Sequence, residues 1–263
     1  MIVPLGQQPR LRSASKVAQL YPLNQFPVNF SKSIAKAIFA VKATSLFEGD
    51  DVDVSGKLWE EIFAKGIGAK RESGLAEGLD DVRDVGTSTA WSAKTVKHNV
   101  KAPIVQAIEE RRAKVQLISG RNDPFYSFSH SVNPKVDDPK VVAEMILEIW
   151  NERVRLVKKE FTNLRTVVLV KQPKLNTVAV FEKTTDLYHP SDYKWEWNKN
   201  SNLVGSRDGT KCFTWQPHGK QFTINDVPIP SDSLILDIKE PKKLGIDDIL
   251  KLTGWDDQNF TIV

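Results

Sequence analysis

Cysteine is almost absent from this chain: Cys212 is the only one in 263 residues. One thiol forms no disulfide within the chain, and a zinc site built from several cysteines is excluded. That scarcity suits a reducing compartment, so a cytoplasmic protein is expected. Cys212 sits in an aromatic, strand-like stretch with Lys211, Phe213 and Trp215; a packed thiol is expected there rather than a nucleophile. Histidine is scarce too. His98, His130, His189 and His218 are scattered, without the H-E-x-x-H spacing of a helical zinc site. No G-x-G-x-x-G, Walker A or G-x-S-x-G sequence occurs, so dinucleotide binding, P-loop chemistry and serine hydrolysis lack their signatures. Met1 to Leu5 opens no signal-peptide core, and no stretch nears the ~18 apolar residues of a membrane span. No membrane partner is expected.

What is present is a mild cationic bias. Lysine and arginine number 37 against 33 aspartates and glutamates, giving a formal net charge of +4 and a pI near 9.0. Such a balance leans toward anionic partners without requiring them. The length suits one large domain, here 1–263, with residues 1–30 as an irregular N-terminal arm and 190–240 as a β-rich subdomain.

Hydrophobic periodicity predicts helices over Ser31–Val41, over 55–66 with Ser55 as its cap, and over Pro103–Ala113. The clearest signal is a long helix over 139–161. Asp138 is placed to cap it, Pro139 stands at its first position, and Val142, Ile146, Ile149, Trp150, Val154 and Val157 recur at helical spacing. Strands are predicted over Leu79–Val85 and Thr89–Val96, with Gly86-Thr87-Ser88 as a hairpin loop, then over Val115–Ser119, Thr166–Val170 and Thr177–Phe181. An acidic turn is expected at Glu48-Gly49-Asp50-Asp51. Residues 193–238 read as a meander of short strands rich in Trp and Phe, ending in Ser233–Ile238, and Ile246–Leu252 as a closing helix. Helices before and after a central sheet give an α/β or α+β class.

One stretch carries chemistry. Asp80 and Asp81 open a strand, a hairpin follows, and Ser92 and Lys94 alternate with Trp91, Ala93 and, farther on, Val96 on the returning strand. Strand alternation puts Ser92 and Lys94 on one face, and the hairpin brings that face toward the aspartates. Phosphodiester hydrolysis uses such a set: a carboxylate anchors Mg²⁺, which screens the phosphate charge and acidifies a bound water, and an ammonium stabilises developing negative charge. Taken alone, the aspartates also suit a solvated turn, Lys94 a basic edge, and Glu60 and Glu61 the polar face of an amphipathic helix.

In this order (helix with Glu60, strand with Asp81, hairpin, strand with Ser-x-Lys, helix) the segment 55–120 resembles the core of the PD-(D/E)xK nucleases, as found in type II restriction endonucleases. The resemblance implies a restriction-endonuclease-like mixed central sheet flanked by helices, with a β-rich C-terminal region. It implies Asp81, with Asp80 in reserve, and Glu60 as Mg²⁺ ligands or supports, and Lys94 as the catalytic ammonium. Ser92 stands where the family usually has Glu or Asp, so the second carboxylate is missing from its expected place. The implied substrate is double-stranded DNA, cut by a homodimer.

DNA contacts are expected from Lys97 and Lys101 beside the site, with His98, Arg111, Arg112 and Lys114 nearby. Arg121 and Asn122 are expected on a loop suited to reading bases, and Arg207 and Lys211 in the meander. Two other functions stay open: a repair or recombination nuclease with the same core, and a non-catalytic DNA-binding protein in which Ser92 marks a decayed site.

Overall fold

The computed structural model describes residues 22–44, 54–71, 79–98, 102–119, 128, 131–172, 176–219 and 221–254. The arm up to residue 21 and the acidic turn at 48–51 lie outside this set. Among the described residues the chain is mixed α and β, with two sheets and five α-helices. None of these helices is long and apolar enough to cross a membrane.

The first sheet has six strands in the order β1-β2-β3-β5-β6-β11. They are β1 (Lys70–Arg71), β2 (Val82–Asp84), β3 (Thr89–Lys97), β5 (Asn163–Lys171), β6 (Thr177–Thr184) and β11 (Leu234–Asp237). β2 and β3 form an antiparallel hairpin, while β3 and β5 run parallel over nine registered pairs, Thr89–Asn163 to Lys97–Lys171. A parallel pair needs a long crossover, and the 22-residue helix α4 (Pro139–Glu160) lies within it. Asp138 caps α4 by accepting from the N–H groups of Lys140 and Val141, and Pro139 occupies a first-turn position whose N–H would be unpaired anyway.

Helices α1 (Phe30–Ala43) and α2 (Gly56–Ile67) cover one face of this sheet. Phe30, Ile34, Ile38, Trp59 and Phe63 pack there on Trp91, Ala93, Val167 and Val180. Ser55 caps α2 by accepting from Leu58 N–H at 3.2 Å. Gly68 ends it at φ 73°, a left-handed turn that suits glycine, and β1, unforeseen in the sequence, follows at once.

The second sheet has five strands, β4-β10-β9-β8-β7. They are β4 (Lys114–Ser119), β7 (Lys194–Trp197), β8 (Leu203–Arg207), β9 (Thr210–Gln216) and β10 (Gln221–Pro228). The β-rich stretch therefore supplies four strands here, borrows its fifth from 114–119, and sends 234–237 to the first sheet. Two further cores fill the other face of the first sheet. One joins α4 to Ala90, Leu164, Trp195, Phe213 and Trp215. The other joins helix α3 (Ile104–Glu109) to Val115, Leu117, Val168, Phe181 and Val227. α3 stops earlier than periodicity predicts, because Arg111 takes φ 54° and the N–H groups of Arg112 and Ala113 both turn back to Ala107 O. Helix α5 (Ile246–Thr253) follows the last strand.

Candidate active site

The predicted strand over Leu79–Val85 is shorter than expected: regular pairing begins at Val82. The reason lies in Asp81. Its N–H donates to Trp91 O at 2.7 Å, and its side chain takes over the next rung of the ladder, with Oδ2 accepting from Ala93 N–H at 2.7 Å. The same oxygen accepts from Ser92 Oγ at 3.3 Å. The hairpin thus brings Asp81 and Ser92 together. Among the described residues both hydrogen bonds of this carboxylate fall on Oδ2.

Alternation along β3 holds for Trp91 and Ala93, whereas Val96, expected with them, falls on the face of Ser92 and Lys94. Trp91 and Ala93 pack under α2, whereas Ala90 and Val96 pack against the cores on the other face. Ser92, buried, and Lys94, half-buried, share that second face. Asp80 is buried and ion-paired with Arg83. Arg83 in turn lies over the ring of Phe161, 5.5 Å from its centroid.

Glu60 has a different partner. It pairs with Arg71 of β1, with Nε and Nη2 both 2.9 Å from Oε2. No hydrogen bond or ion pair among the described residues joins it to Asp81, Ser92 or Lys94. Its neighbour Glu61 pairs with Lys65 one turn along the exposed side of α2, which lowers its carboxyl pKa.

The sequence reading missed Arg153. This side chain of α4 is buried and close enough to Asp81 and Asp80 to feel both charges. Burial pulls its guanidinium down to about 10, and the charges of Asp81 and Asp80 oppose that fall. It stays cationic at neutral pH. A signal existed: Arg153 follows Trp150 by three residues and Ile146 by seven, so an arginine sits on the apolar stripe of α4.

Asp81 and Asp80 supply two carboxylates. Among the described residues no group of three His, Cys, Asp or Glu side chains is suited to holding a metal. Mg²⁺ is commonly held by one or two carboxylates, with substrate phosphate and water completing its shell. Two carboxylates match that number and do not cage a metal by protein alone, and Asp80 is already engaged by Arg83.

Of the expected DNA contacts, Lys97 is exposed at the end of β3. Lys101, Arg121 and Asn122 lie outside the described residues. Arg207 and Lys211 are exposed on β8 and β9, and Arg207 lies over the ring of Tyr193 at 5.6 Å. In the sheet order these strands stand three and two places from β4, roughly 14 and 10 Å at ordinary strand spacing. Comparison of the chain with protein-family models, with curated proteins and with solved structures found no match.

Proposed function

We propose that this chain is a Mg²⁺-dependent endonuclease of double-stranded DNA, of the restriction type, with a PD-(D/E)xK-like core and acting as a homodimer. One observation carries the reading. Asp81, just before β2, meets Ser92 across the hairpin, and Lys94 follows on the same face of β3. The order of α2, β2, hairpin, β3 and α3 agrees with the order on which the resemblance rests.

Asp81, with Asp80 beside it, would hold Mg²⁺, which when bound neutralises phosphate charge and acidifies a water. The chain's own groups do the rest. Ser92 and the Ala93 N–H fix the Asp81 carboxylate through Oδ2, leaving Oδ1 without a described hydrogen bond. Lys94 offers an ammonium to the developing negative charge of the attacked phosphate. Buried Arg153 offsets the two aspartates when no cation is bound, so a charged pair is kept folded at a tolerable cost.

A second reading has its own observation. Asp80 is already paired with Arg83, and Ser92 contributes no charge, which suits a DNA-binding protein that does not cut. Incubation with supercoiled plasmid and Mg²⁺ separates the two. Discrete fragments from the wild type, lost in Lys94→Ala with its unfolding temperature unchanged, support the nuclease. Duplex binding without any cut product, in Mg²⁺ or Mn²⁺, supports the second reading and overturns the first.

A further inference from the structure

Between the two sheets runs a cavity of about 490 Å³. One wall is the end of β3, from Lys94 to His98; the other is β4, with Lys114, Gln116 and Ile118. Both walls are strand edges. Among the described residues β2 pairs with β3 only as far as Trp91, and β4 pairs only with β10. Beyond Ala93, then, no strand among the described residues covers the outer edge of β3.

Polarity of that edge follows from alternation. The Trp91 carbonyl and the Ala93 N–H point outward, where Asp81 meets both. The His98 N–H points the other way, to Lys171 O on β5. A period of two therefore aims the N–H groups of Thr95 and Lys97 outward, along the cavity.

The cavity is cationic. Lys94, Lys97 and Lys114 line it, and among the described residues no carboxylate does. Lys114 has one acidic neighbour, Asp226, at 2.7 Å. His98 lines it as well; its side chain is buried, and Nε2 has no hydrogen-bond partner among the described residues.

We infer that this cavity is a phosphate-binding cleft, gripping a nucleic-acid backbone through Lys97, Lys114 and the edge N–H groups of Thr95 and Lys97. Outward N–H groups and ammonium groups converge on one space, which is the donor set a phosphate diester takes. Lys94 belongs to both the cleft and the proposed catalytic face, so the bound strand runs from Asp81 along the open edge of β3. The direction of the strand rests on the nuclease reading; the cleft itself does not.

The test is made on the full chain in EDTA, where no cutting occurs. Binding of a labelled DNA duplex is followed by fluorescence anisotropy as KCl rises from about 50 to 200 mM. Lys97→Gln and Lys114→Gln should each weaken binding about three- to tenfold and shrink the log–log salt slope by about one. Lys32→Gln and Lys36→Gln, on α1 across the first sheet, should leave the slope alone. Slopes unchanged in both cleft variants overturn the proposal. Inorganic phosphate titrated against ¹⁵N-labelled protein separates the sources. Movement of the Thr95 and Lys97 amides with phosphate, but no dependence of duplex binding on Lys97 and Lys114, assigns the cleft to free phosphate and removes the nucleic-acid strand. A chain that binds duplex through the cleft and never cuts keeps the cleft and loses the nuclease. One that cuts with unchanged slopes does the reverse.

Discussion

Asp81 has two duties, and the choice of replacement decides which is tested. Its Oδ2 completes the strand ladder by accepting from Ala93 N–H, while its charge is what the proposed chemistry needs. Asp81→Ala leaves a buried N–H unpaired and should lower stability by about 1–3 kcal/mol. Asp81→Asn keeps an acceptor oxygen and should unfold close to wild type while losing Mg²⁺-dependent cleavage. Thermal melts beside a plasmid assay read both; an active Asp81→Asn protein would exclude Asp81 as the metal anchor. Residue types alone made Asp80, Asp81 and Lys94 visible, because an acidic pair before a hairpin and a lysine in an apolar strand are unusual. They did not reveal that Asp80 would turn to Arg83 or Glu60 to Arg71. Asp80 and Arg83 are three residues apart, whereas the partner of Glu60 depends on which strand lies beside α2, and β1 gave no signal before the fold placed it.

At the scale of elements, periodicity located the long helix to within a residue, since apolar spacing and an Asp-Pro start agree on it. Strands buried on both faces were less legible. β5 extends from Asn163 to Lys171, beyond the apolar run of 166–170, because Arg165 and Lys171 are buried with polar partners: Arg165 with Glu182, and Lys171 with Val54 O. Charged ends of that kind look like loops until the partners are known. Sheet packing also fixes one glycine. A Cβ on Gly205 would stand 2.5 Å from the ring of Trp195, itself stacked on Phe213 and unable to retreat freely. Gly205→Ala should therefore cost about 1–3 kcal/mol, as overpacking does. A urea midpoint equal to wild type would show that β7 and β8 yield more easily than the contact suggests.

At the scale of the molecule, Glu182 joins three segments. It accepts from Trp91 Nε1 at 2.5 Å, from Arg165 at 2.9 Å and from Asn24 N–H at 3.1 Å, and its own N–H donates to Asn24 Oδ1. Glu182→Ala breaks a buried ion pair from one side, which typically costs about 3–5 kcal/mol. It also removes one of the two hydrogen bonds by which residue 182 holds Asn24, leaving the backbone one. Faster cleavage of the strap around Asn24 in limited proteolysis, together with the stability loss, is the expected outcome; unchanged protection would assign the strap's hold to the stacking of Phe26 on Phe30. Sequence order predicted a β-rich subdomain at 190–240. Of the strands in that stretch, β7 to β10 belong to the second sheet and β11 to the first.

The return of β11 to the first sheet sets a timetable for synthesis. β6 receives its outer neighbour only when 234–237 has been made, after the four strands from 194 to 228 have gone to the other sheet. Until then the apolar edge formed by Val178, Ala179 and Val180 has no cover on a growing chain that folds from its beginning. An open, apolar strand edge invites pairing with another chain. A truncation after Ser231 keeps every described strand but β11 and should emerge from cells chiefly as aggregate, whereas the full chain stays dispersed. Sedimentation of the two expressed side by side decides it, and a well-dispersed truncation would mean that β6 is shielded by something other than β11.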